Sequence, residues 1–181
     1  MNKRTLNLTL ISIFVALFAL CSYIHIPFAG VSFTLQTFVL YLCLFCLGEK
    51  RALASVFIYI LMGIIGLPVF SGFTGGIGAL FGLSGGFILG FPLSLIACAL
   101  LLKIFGTSLK GKFFSALCSL SLCHATGTLW FCFIYFGKIT VTGVISSFTL
   151  CSLPFLLPDA LKLFAAALLG TRINKILNLN F

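Results

Sequence analysis

Acid is what this sequence has least of. Glu49 and Asp159 are its two acidic residues, set against eleven Lys and Arg in 181 residues, and charged residues make up 7% of the chain. Soluble domains carry roughly 25%, so there is too little polar surface here to face water. An ordinary soluble domain is excluded. Hydrophobic residues reach 61% and the mean hydropathy is +1.29. Apolar runs of about 20 residues recur, as bilayer-spanning helices require. The chain reads as an integral membrane protein with a single domain over residues 1–181.

The net charge of +9 does not point to nucleic acid. The basic residues punctuate apolar runs and form no polar face, so they read as loop charges that orient helices. Eight cysteines lie within or beside apolar runs, where a free thiol acts as a small hydrophobe. Cys43 and Cys46 form a lone C-x-x-C. With no second pair and no His nearby, it lacks the ligands of a zinc site, and no metal or cofactor is expected. The N-terminal MNKRTLNLTLISIFVALFALCSY has the basic start and Cys21 of a lipoprotein signal. Leu20 stands where a small residue belongs, and the apolar run exceeds the roughly 7–15 residues of a signal core. It reads as a first membrane helix.

Six spans are expected, at about 5–23, 34–47, 52–67, 85–105, 113–136 and 150–170. If they alternate, Lys3, Arg4, Lys50, Arg51, Lys103, Lys110, Lys112, Arg172 and Lys175 share one side and Lys138 takes the other. By the positive-inside rule both termini are cytoplasmic, in the cell (inner) membrane. The outer loops are then 24–33, 68–84 and 137–149. In SGFTGGIGALFGLSGG, residues 71–86, seven of sixteen are glycine. Bare backbone of this kind packs closely on a ligand or a helix, so this loop is expected to cap a cavity. Gly78, Gly82, Gly86 and Gly90 continue it as a small-xxx-small stripe into the fourth span.

Two patterns mislead. GTSLKGKF, residues 106–113, follows a phosphate-binding loop up to Lys112 but places Phe113 where a metal-binding hydroxyl belongs. No strand precedes it, and it reads as a cytoplasmic loop. His124 stands among Ser115, Ser119, Ser121, Thr126 and Thr128. A Ser/His hydrolase is conceivable there, but hydrogen bonding between helices is the commoner use of such residues.

Asp159 and Lys162, in LLPDALKLF, raise the functional question. Asp159 precedes Arg172 by 13 residues, roughly 20 Å along a helix, which puts it in the outer part of the membrane. With Pro158 in a first turn, Asp159 is expected at a helix N-terminus, sharing a face with Lys162 at i+3. Ionisable residues at this depth mark substrate or ion paths. They suggest an outward-facing pocket for a small polar solute.

Three segments carry a resemblance: VSFTLQTFVLYLCLFCLG, YILMGIIGLPVFSGFTGGIGALFGLSGGFILGF and LPDALKLFAAALLG. Together they resemble the BioY family, biotin-binding S components of energy-coupling factor (ECF) transporters, over nearly the whole chain. The family's Gly-Pro-Thr-Gly-Gly-Tyr appears as Gly82-Leu83-Ser84-Gly85-Gly86-Phe87. The resemblance implies an all-α bundle of six membrane helices that binds biotin as substrate. It further implies a separate transmembrane coupling subunit and an ATPase pair as partners beside membrane lipid. For the ligand it implies Asp159 on the ureido N–H groups and Lys162 on a carbonyl or carboxylate. Gln36 and Thr34 assist, Phe70, Phe73 and Phe87 form walls, and Gly75, Gly76, Gly85 and Gly86 supply backbone. The family's Ala-x-x-x-Ala docking motif is met by Ser12 and Ala16. The rival readings are a proton-coupled carrier with Asp159 titrating, an S component for another vitamin, and a membrane enzyme relying on His124.

Overall fold

The computed structural model describes residues 2–28 and 30–177. Its elements run α1 (Lys3–Tyr23), β1 (His25–Phe28), β2 (Val31–Thr34), α2 (Gln36–Leu47), α3 (Glu49–Ile64), α4 (Ile77–Leu80), α5 (Gly85–Phe105), α6 (Leu109–Phe136), α7 (Val141–Cys151) and α8 (Leu153–Leu177). Among the described residues, four helices are long and apolar enough to cross a membrane: Arg4–Tyr23, Gly85–Phe105, Leu109–Phe136 and Leu153–Ile176. Their outer faces are greasy. Ile104, Leu157 and Ile176 are all at least 75% exposed, a distribution suited to lipid and not to water.

α2 lies at the centre. It is apolar all round, and ten of its twelve residues are buried, as expected of a helix with no polar face to offer. It packs broadly against α8, and Gly170 of α8 meets the Phe45 side chain directly. Gly48 alone separates α2 from α3, with φ 77°, a left-handed value at which a Cβ is costly. The tight turn expected at 48–51 is therefore one residue long. Glu49 opens the next helix, where the dipole favours an acid. At that end of the bundle Lys112 Nζ donates to Thr171 Oγ1 at 3.0 Å, and Asn174 Nδ2 donates to the Phe45 carbonyl at 3.3 Å. These bonds gather α2, α6 and α8.

α5 and α6 form the most extensive helix pair, and glycine is the reason. A Cβ on Gly86 would strike Trp130, one on Gly90 would strike Thr126 and Cys123, and one on Gly127 would strike the Phe87 ring. Of the small-residue stripe, Gly86 and Gly90 thus make the close approach, whereas Gly78 has open space around it.

Three expectations need correction. The segment 24–33 is no plain loop: β1 and β2 pair antiparallel from His25↔Thr34 to Phe28↔Val31. Likewise 137–149 is mostly helical, because Thr140 caps α7 by accepting from the Gly143 N–H at 3.2 Å. Asp159, finally, is not at a helix N-terminus. α8 starts at Leu153, with Pro154 in its first turn and Pro158 in its interior. Pro154 is the residue whose missing N–H costs nothing.

Candidate functional site

Phe155, Asp159 and Lys162 recur at i, i+4 and i+7 on α8, which puts them on one face. That face turns inward: Asp159 and Lys162 are 4% and 8% exposed. Two charges so placed must be paired and hydrogen-bonded, and they are. Lys162 Nζ donates to Asp159 Oδ1 at 2.7 Å, to the Thr34 carbonyl at 2.6 Å and to Thr37 Oγ1 at 3.4 Å. The same ammonium lies 3.6 Å from the centroid of the Phe33 ring, a cation–π contact. The Thr37 hydroxyl donates to Asp159 Oδ1 at 2.9 Å.

The other carboxylate oxygen faces α6. His124 Nε2 stands 3.2 Å from Asp159 Oδ2, and His124 Nδ1 stands 3.1 Å from Ser152 Oγ. Ser152 is also 2.8 Å from Thr128 Oγ1. Ser152 is the one-residue joint between α7 and α8, so this chain of hydrogen bonds ties that corner to α6. His124 thus does bond between helices, but to Asp159 itself.

Thr34, Thr37, His124, Asp159 and Lys162 line a cavity of about 580 Å³, counting its open mouth. Phe33, Phe87, Phe91 and Phe155 supply aromatic walls, with Leu120 and Ile88 between them. Phe155 also packs on Phe33, ring centroids 5.9 Å apart. Ser32 of β2 and the loop residues Ser71 and Ser84 complete the lining. No hydrogen bond involves their hydroxyls among the described residues.

Of the residues singled out from the sequence, Asp159, Lys162, Thr34, Gln36 and Phe87 line this cavity. Gln36 is held by its Nε2, which donates to the Tyr59 hydroxyl at 2.5 Å. Tyr59 in turn donates to the Val69 carbonyl at 2.9 Å. The other candidates lie outside the lining. Phe73 is 61% exposed and stacks on Tyr23 at 4.3 Å, while Phe70 is buried edge-on to Tyr59. Gly75 and Gly85 abut the Leu67 and Leu80 carbonyls, Gly86 abuts Trp130, and Gly76 adopts φ 85° in the loop. Ser12 and Ala16 are exposed on α1. The sequence reading passed over Thr37, Phe33, Phe155 and Ser152, and it set His124 aside. Phe155 was legible, four residues before Asp159.

The fold and site define a multi-pass membrane protein built around a small-molecule cavity with a buried acid–base cluster on its wall. A model of the BioY family matches residues 1–179, and the chain belongs to that family. The probable biotin transporter BioY of Pyrococcus horikoshii is 32% identical, over 92% of this chain and 95% of its own length. The biotin transporter BioY of Thermotoga maritima is 34% identical, over 91% and 93%. A crystal structure of the S-component for biotin from an ECF-type ABC transporter shares the fold. Its TM-score is 0.82 at 23% identity, covering 97% of this chain and 95% of that one.

Proposed function

We propose that this chain binds biotin from outside the cell and serves as the substrate-specific subunit of an ATP-driven ECF transporter. The observation that carries the reading is the buried Asp159–Lys162 pair on the wall of an aromatic cavity, in a chain whose relatives are named biotin transporters. Biotin's ureido ring presents an N–H group to the Asp159 carboxylate. Its fused rings fit between Phe33, Phe87, Phe91 and Phe155. Lys162 is already neutralised by Asp159 and has all three protons engaged. The valerate carboxylate is therefore assigned to the unpartnered hydroxyls of Ser32, Ser71 and Ser84.

The whole chain acts as one membrane domain of six segments, α1, α2, α3, α5, α6 and α8, with both termini cytoplasmic. α2, of twelve residues, is roughly 18 Å long and falls short of a hydrocarbon core of roughly 30 Å, but protein surrounds it. The glycine-rich segment 71–86 covers the outer end. ATP is hydrolysed on partner subunits, and a transmembrane coupling subunit docks along the face of α1 that carries Ser12 and Ala16.

Calorimetric titration of biotin into purified protein, with Asp159→Asn alongside, tests this. Tight binding by the wild type and a loss of at least tenfold in a still-folded variant is the expected result, since a hydrogen bond to a charged group is worth about 1.5–3 kcal/mol. A folded wild type that ignores biotin refutes it.

A further inference from the structure

The polar groups of the cavity differ in depth and in charge. Asp159, Lys162 and His124 are buried, and the lining residues Phe91, Leu120 and Cys123 are buried with them. Ser32, Ser71 and Ser84 are half-buried. Charge is confined to the deep group. Among the described residues of the lining, Lys162 and His124 are the side chains able to carry positive charge, and both face Asp159. Lys162 Nζ lies 2.7 Å from Oδ1 and His124 Nε2 lies 3.2 Å from Oδ2. Lys162 gives its remaining protons to the Thr34 carbonyl at 2.6 Å and to Thr37 Oγ1 at 3.4 Å. No third cation stands with the serines in the lining.

We propose that this site reads the fused rings of its ligand and not the charge of its tail, so that neutral carboxamides of biotin bind on a par with the acid. The inference rests on the biotin reading above, which sets the valerate carboxylate against the three serine hydroxyls. A site that selects a carboxylate by charge meets it with Arg or Lys, whose charge-assisted bonds are roughly twice as strong as neutral ones. A serine hydroxyl is less selective, because it donates one proton and also accepts. It can donate to a carboxylate oxygen, donate to an amide carbonyl, or accept from an amide N–H. The carboxylate makes the stronger hydrogen bonds, but it also loses more hydration on entering the cavity. These differences oppose each other, and no ion pair tips the balance. Ser32, Ser71 and Ser84 thus widen the ligand class from one acid to that acid and its amides.

The test titrates the purified full chain with biotin and with its primary carboxamide. The two affinities should agree within about fivefold. A site that read the charge would lose a hydrogen bond to a charged group, and would bind the amide at least about tenfold more weakly. A deficit greater than about fivefold overturns the proposal. Ser71→Lys brings a cation to the serines, and it should favour biotin over the carboxamide by more than about fivefold. A smaller preference in a folded Ser71→Lys also overturns the proposal, because the tail then lies elsewhere. The wild-type comparison decides the matter even if Ser71→Lys fails to fold. A folded wild type that binds neither compound refutes the biotin reading itself, whereas one that binds biotin and rejects the amide refutes this inference alone.

Discussion

Lys162 Nζ donates to the carbonyl oxygen of Thr34 at 2.6 Å, joining residues 128 positions apart. Thr34 ends the hairpin, so a single ammonium holds together the carboxylate of the site and a strand that lines its cavity. Lys162→Met removes both attachments and leaves Asp159 with a buried, uncompensated charge. Breaking a buried pair in this way costs about 3–5 kcal/mol. A large drop in melting temperature, together with weakened biotin binding, is expected from differential scanning fluorimetry and calorimetry on the same preparation.

Tyr59→Phe deletes one hydroxyl that accepts from Gln36 and donates to Val69. Both partners are left short of a bond in the core, a loss of about 1–3 kcal/mol. Because Gln36 lines the cavity, biotin affinity should fall as well, whereas Ser22, the other donor to the Val69 carbonyl, keeps the loop in place. An unchanged unfolding midpoint would refute this.

Glycine should matter unevenly along its stripe. Gly86→Ala forces a Cβ into Trp130 and the Thr126 carbonyl, and overpacking of that kind costs about 1–3 kcal/mol. Gly78→Ala meets nothing and should stay within about 0.5 kcal/mol of the wild type. Thermal denaturation of the two variants side by side separates packing from mere composition.

Transport and binding should come apart on α1. Trp at Ser12 or Ala16 lies on an exposed face away from the cavity lining. Either substitution should leave biotin titration unchanged while reducing ATP-dependent uptake severalfold in vesicles holding the complete transporter. A loss of binding would move the docking face elsewhere.

The long helices were legible because their information is local: runs of apolar residues closed by Lys, Arg or Gly. Asp159 and Lys162 stood out because charge is so scarce. What escaped depended on partners distant in sequence or on short-range turn chemistry. His124 looks like one polar residue among several, and only the approach of α6 to α8 reveals its carboxylate. The hairpin had a signal in the two short runs IPF and VSF on either side of a glycine, which the apolar background concealed. Asp159 reads as a helix N-terminus because Pro158 suits a first turn, whereas Pro154 fills that role.

The sheathing of α2 bears on how the protein behaves in different cells. A helix bathed in lipid must tilt, or distort the bilayer, when the bilayer thickens or thins. α2 touches almost no lipid, because ten of its twelve residues are enclosed by protein, and its first turn carries Gln36 and Thr37 into the cavity. The depth at which a ligand rests is thus measured from neighbouring helices and not from the membrane surface. Growth temperature and fatty-acid composition can alter the outer helices' surroundings while the binding site keeps its own ruler.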